Sequence, residues 1–169
     1  MAGAVLELGR LARHDLESLL GRYELHLEWI DDDQPIPGSY WGEPEAGIIG
    51  TTIFARADTP LHSLLHEACH VICAPSQKRA SIHTDASDCQ FEEDATCYLQ
   101  ILLGDAIPGA GRDRVMQDMD LWGYSFRLGS TRDWFERDAD DARAWLAARG
   151  LLPLAIDAAG SLAASDDGH

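Results

Sequence analysis

His66, Glu67 and His70 stand together in the run LHSLLHEACHVIC, residues 61–73. Successive residues of an α-helix turn by about 100°, so two histidines four apart fall within about 40° of each other, one turn apart. Zinc binds neutral imidazole, and two such ligands one helical turn apart can reach a single ion from the same side. Glu67 has a use that ligation does not require. A metal lowers the pKa of a water toward neutrality, and a carboxylate beside it can take the proton and leave a nucleophile for a polarised carbonyl. HEACH on a helix therefore has the pattern of a zinc hydrolase. Leu61, Leu64, Leu65, Ala68 and Ile72 centre on the opposite side, which suits packing against a sheet. Cys69 and Cys73 flank His66, but one helix offers only about two ligands to a tetrahedral ion, so they read as buried packing residues.

A third ligand is expected from His83, Asp85, Asp88, Glu92, Glu93 or Asp94. In FEEDATCYLQILL, Glu92 shares a helical stripe with Ala95, Thr96, Leu99 and Leu103, while Glu93 falls with Cys97 and Gln100 on the polar side. A carboxylate on a packing face is costly unless it is paired, hydrogen-bonded or bound to a metal. This reading selects Glu92. Hydrolysis also wants a donor for the developing oxyanion, and Tyr124, Arg127 and His83 are candidates among which the sequence does not choose.

The elements that must hold these residues follow from periodicity. Val5, Leu8, Leu11, Ala12, Leu16, Leu19 and Leu20 recur at helical spacing up to Gly21, predicting a first helix over 5–20. YELHLEWI, 23–30, alternates as a strand with one buried face. Residues 31–46 carry three aspartates and three prolines and read as a loop whose Tyr40 and Trp41 either anchor it or line a cleft. GIIGTTIFA, 47–55, is rich in β-branched residues and predicts one strand, a natural edge for an extended peptide. Asp58 or Thr59 is expected to cap the HEACH helix, with Pro60 in its first turn and Pro75 ending it. Further helices are expected over 91–103, 113–122 and 131–149. One domain over 1–152 and a flexible tail over 153–169 complete the expected organisation.

A strand, the HEACH helix and then EEDATCYLQILL together resemble the ImmA/IrrE family of zinc metallopeptidase-like proteins, over about residues 45–108. The resemblance implies an α+β fold of the minimal zincin or gluzincin type, with a small antiparallel or mixed sheet packed on the HExxH helix and a helical C-terminal part. By it, His66 and His70 are zinc ligands, Glu67 is the general base and Glu92 the third ligand, with Zn2+ as cofactor and a protein or peptide as substrate. Residues 110–149 match nothing in that family.

The whole chain narrows the class. It has 169 residues, 46% hydrophobic and 25% charged, a composition suited to one globular domain. Its 29 acidic residues against 13 basic give a net charge of -16, which opposes direct binding to nucleic acid or to anionic membranes. The N-terminus carries charges where a signal peptide has an apolar block, so a cytoplasmic location and free thiols at Cys69, Cys73, Cys89 and Cys97 are expected. The expected function is a zinc metallopeptidase with a narrow protein substrate. The alternative is a zinc-binding regulatory module with little turnover.

Overall fold

The computed structural model describes residues 4–39, 44–74, 90–153, 155–156 and 162–163. Its class is α+β. Among the described residues six α-helices accompany a small mixed sheet: α1 (Arg13–Gly21), β1 (His26–Trp29), β2 (Gly47–Ile49), β3 (Thr52–Ala55), α2 (Leu61–Cys73), α3 (Gln90–Leu103), α4 (Arg112–Trp122), α5 (Thr131–Arg137) and α6 (Asp140–Ala148). A two-stranded ribbon of β4 (Ala155–Ile156) and β5 (Leu162–Ala163) lies in the segment expected as a tail.

The sheet has the order β1-β3-β2, with β1 parallel and β2 antiparallel to β3. The run expected as one strand over 47–55 is a hairpin. Ile49 pairs with Thr52, leaving Gly50–Thr51 as a two-residue loop, and Gly50 takes a φ of 63° that a β-branched residue would resist. Leu27, Ile48, Ile53 and Ala55 are buried, and the buried positions of β1 and β3 follow the two-residue period, while β2 buries Gly47 as well as Ile48.

The outer edge of β2 is covered by the chain itself. Ile48 donates its N–H to the Gly38 carbonyl at 3.3 Å, and Gly47 lies so close to residues 37–39 that a Cβ there would stand 1.8 Å from the Pro37 carbonyl oxygen. This edge is therefore not open to an extended peptide.

The expected first helix is also divided. Leu8–Arg10 forms a 3-10 turn, and Leu11 and Ala12 are extended before α1 begins. Tertiary pairing overrides the helical period here: Leu8 and Gly9 donate to the Thr59 and Ala57 carbonyls, and Leu61 donates to that of Leu6. Thr59 is thereby drawn away from helix capping. Its Oγ1 accepts the Arg56 N–H at 2.9 Å, and Pro60 occupies the position before α2 with no side-chain cap. The last expected helix is two, α5 and α6, separated at Asp138 and Ala139.

The helix α2 keeps its expected span. Ala74 is extended, as the residue before a proline prefers, and Pro75 follows it in the sequence. On one side α2 packs on β2 and β3 and on the other on α3, which also meets α4 and α6. Thus α3 is enclosed: every residue from Ala95 to Ile101 is buried.

Candidate metal centre

The helices α2 and α3 bring three ligand atoms together. One from each of His66, His70 and Glu93 lies within 4.8 Å of the others. Glu93 Oε2 stands 3.2 Å from His66 Nε2 and Glu93 Oε1 3.5 Å from His70 Nε2, and the two imidazoles meet edge to face with centroids 4.5 Å apart. The third group is thus Glu93, not Glu92. Glu92 is half-buried one position earlier on α3, and its backbone carbonyl accepts the Thr96 hydroxyl at 2.8 Å.

The physical reason lies in the enclosure of α3. Glu93, Cys97 and Gln100 recur at i, i+4 and i+7, one narrow stripe. In a helix with one wet side that stripe would face solvent, but α3 has neighbours around it and the stripe meets α2. Gln100 Oε1 is 2.7 Å from His66 Nδ1, and the Gln100 amide nitrogen donates to the His62 backbone carbonyl at 2.9 Å. Cys97 lies close enough to His66 to raise its pKa. The stripe Glu92, Ala95, Thr96, Leu99 and Leu103 has its buried members from Ala95 onward.

The group fits a cation on two counts. An ionised carboxylate only accepts, so the imidazole nitrogens facing it need a proton or a cation between. Neighbouring corners of a zinc tetrahedron stand roughly 3.3 Å apart, as follows from metal–ligand distances of about 2.0–2.1 Å, and the two Glu93 contacts are close to that edge.

Electrostatics sets the charges in the metal-free site. Burial opposes a proton on His66, but its polar neighbours Tyr124, Cys97 and Glu93 outweigh that and hold its pKa well above the usual imidazole range. Of these Glu93 is the anion: burial pushes the Cys97 thiol up and the Tyr124 phenol up to about 12. Glu93 is desolvated, yet its hydrogen bond to His66 keeps its carboxyl below the ordinary value. Burial takes His70 the other way, to about 4, with charged His66 adding to the effect. In the metal-free site these directions favour a charged His66 paired with Glu93 and a neutral His70.

One wall comes from the end of α4 and the residues after it. Gly123, at a φ of 107°, ends α4, as a left-handed glycine does in this position. Tyr124 then lies edge-on to His66 at 5.8 Å between centroids, with its hydroxyl 3.2 Å from His62 Nδ1. The Trp122 ring lies 5.1 Å from that of His62, and its indole N–H donates to Glu45 Oε2 at 3.0 Å. Burial lowers the His62 pKa to about 3, so this imidazole is neutral.

Of the three oxyanion candidates, Tyr124 stands at the site. Arg127 is exposed, and its guanidinium pairs with Asp138 between α5 and α6. His83 lies outside the described residues, as do Asp85, Asp88, Cys89, Tyr40 and Trp41. Glu67, next to His66, is half-buried with its Oε1 shielded from solvent. Cys69, Cys73 and Cys97 are buried. Gln100 and His62 escaped the sequence reading. The signal for Gln100 was present, since it shares the Glu93 stripe, and a polar residue inside an otherwise apolar LQILL run calls for a partner.

No protein-family model, curated protein or solved structure matches the chain. Among the described residues no helix is long and apolar enough to cross a membrane.

Proposed function

We propose that this chain is a zinc-dependent metallopeptidase that hydrolyses a peptide bond in a specific protein substrate in the cytoplasm. The convergence of His66, His70 and Glu93 from two helices, with Glu67 next to His66 in the sequence, is the observation that carries the reading. Those three residues would hold the zinc, which when bound supplies a Lewis acid that acidifies water and polarises a carbonyl. Glu67 takes the proton from the attacking water and returns it to the leaving amine. Tyr124, whose phenol burial keeps protonated and whose ring lies edge-on to His66, would turn its O–H from His62 to the carbonyl oxygen as negative charge grows there. The resemblance to ImmA/IrrE proteins and to the minimal gluzincin type supports the same reading, with Glu93 in the place that the resemblance assigned to Glu92.

The second reading, a zinc-bound regulatory module with little turnover, draws on burial. The His66 and His70 side chains are only 15% and 9% exposed, so approach to the site is through the more open Glu93 side. A Glu67→Gln variant separates the two, since the amide keeps the shape and loses the base. On the peptidase reading it retains zinc and cleaves at least about 100-fold more slowly than the wild type, with little change in substrate binding. The assay is zinc content and cleavage in one preparation, against peptide libraries and candidate proteins. Equal cleavage by wild type and variant would remove Glu67 from the chemistry, and zinc-loaded wild type with no cleavage would favour the module.

A further inference from the structure

Gln100 on α3 meets His66 of α2 beside the candidate metal centre, and it is fully buried. A glutamine amide has an accepting end and a donating end that density alone rarely distinguishes, but hydrogen-bond partners do. One partner of Gln100 is unambiguous. The His62 backbone carbonyl can only accept, so the atom 2.9 Å from it is the amide nitrogen. The other end, 2.7 Å from His66 Nδ1, is then the oxygen, which can only accept. His66 Nδ1 must therefore carry a hydrogen, and in the neutral ring the lone pair is left on Nε2, the nitrogen facing Glu93.

We propose that Gln100 is a positioning residue that selects the His66 tautomer, presenting the Nε2 lone pair to a metal ion between His66, His70 and Glu93. The chain of constraint runs from the α2 backbone at His62, through the Gln100 amide on α3, back to the His66 ring on α2. Each link has one permitted polarity. The ring is also held against rotation, because a flip about its last torsion would put a carbon opposite Gln100 Oε1. His70 has no such partner among the described residues, since its Nδ1 is buried without a hydrogen bond. His66 is thus the anchored ligand, and His70 owes its orientation to packing and to Glu93. Groups that orient a metal-bound histidine through its second nitrogen typically account for 10–100-fold in metal affinity.

The inference rests on the metal site proposed above but not on peptidase activity. Its test is zinc binding, followed by competition with a chromophoric chelator, in wild type, Gln100→Leu and Gln100→Glu, together with side-chain nitrogen NMR of His66 in the zinc-loaded wild type. The leucine variant removes both ends of the amide and should bind zinc about 10–100-fold more weakly. The glutamate variant keeps an acceptor for Nδ1–H and should recover most of that loss. NMR should show a retained Nδ1–H and metal at Nε2. Metal at Nδ1, or affinity in Gln100→Leu within about twofold of wild type, would overturn the proposal while leaving the metal site intact. If the leucine variant does not fold, the wild-type spectrum decides alone. A wild type that binds no zinc would remove the site and this inference together.

Discussion

The Glu93 carboxylate faces both imidazoles, so its removal takes away one of the three candidate ligands. Glu93→Ala is expected to weaken zinc binding by more than about 100-fold, beyond what orienting residues usually contribute. Glu92→Ala, one helical step away, should stay within about twofold, as a half-exposed side chain outside the cluster predicts. Elemental analysis and chelator competition on the pair check this. A second residue-scale consequence concerns His62, buried at 1% exposure and kept neutral. Its folded pKa of about 3 lies below the unfolded value of 6.5. Protons thus favour the unfolded chain, and stability present above pH 6.5 is lost as the pH falls toward 3. His70, lowered to about 4, acts in the same direction, whereas His66, raised, stabilises at low pH and loses that contribution as pH rises through its folded value. Replacing His62 by phenylalanine should flatten the acid limb of the zinc-free protein. The slope of unfolding free energy between pH 6 and 4 should fall by up to about 1.4 kcal/mol per pH unit, one proton's worth. Urea titrations across that range read the difference.

At the scale of elements, the packing of residues 37–39 against β2 makes one glycine irreplaceable. A Cβ on Gly47 would meet the Pro37 carbonyl at 1.8 Å and the Ser39 nitrogen at 2.7 Å, both backbone atoms. Gly47→Ala should therefore destabilise by about 3 kcal/mol or more, the upper range for overpacking. Gly21, the last residue of α1, has nothing within 4 Å of an added Cβ, and Gly21→Ala should be neutral or stabilise by up to about 1 kcal/mol through the unfolded chain. The denaturant midpoint should fall in Gly47→Ala and hold or rise in Gly21→Ala. The same elements show what could be read in advance. The HEACH helix was legible over its full span, because its apolar face and the following Pro75 agree. The hairpin at Gly50 was hidden by β-branched residues on both sides, which suit one strand as well as two. Glu92 was chosen over Glu93 by treating α3 as a helix with one wet face. When neighbours surround a helix, polarity no longer marks the outside, and it marks the functional contact instead. The three-residue composition of the site was therefore nearly legible, but its register required knowing what lies around α3.

For the whole molecule, the charge arrangement predicts how zinc binding couples to protons and to stability. The direction of the His66 shift predicts a proton that a bound zinc would displace, and that of His70 a ring already neutral. Binding at neutral pH should thus release about one proton, and affinity should fall roughly tenfold per pH unit on the acid side of the His66 pKa. Calorimetry in buffers of different ionisation enthalpy counts that proton, and a count of zero would mean that His66 is neutral before zinc arrives. The ion binds the folded chain, so free zinc at about 100 times its dissociation constant should add about 2.7 kcal/mol of stability, removable by chelator and visible as a lower melting temperature. The net charge of -16 favours cation approach without directing it to any one site, so the effect of zinc should persist in Glu92→Ala and vanish in Glu93→Ala.

His70 and Glu93 lie on successive helices, so an ion shared between them would close a ring through residues 71–92 of the chain. Bringing the two ends of such a ring together costs chain entropy on folding, and that cost depends only logarithmically on ring size, each doubling changing it by about 0.6 kcal/mol. Lengthening the connection between α2 and α3 should accordingly matter little to the tie itself. Phase within α3 is another matter, since inserting a single residue between Glu93 and Gln100 would rotate one against the other by about 100°. The centre is thus tolerant of length outside its helices and intolerant of phase inside them, and descendants of this sequence could vary freely in the first while remaining bound by the second.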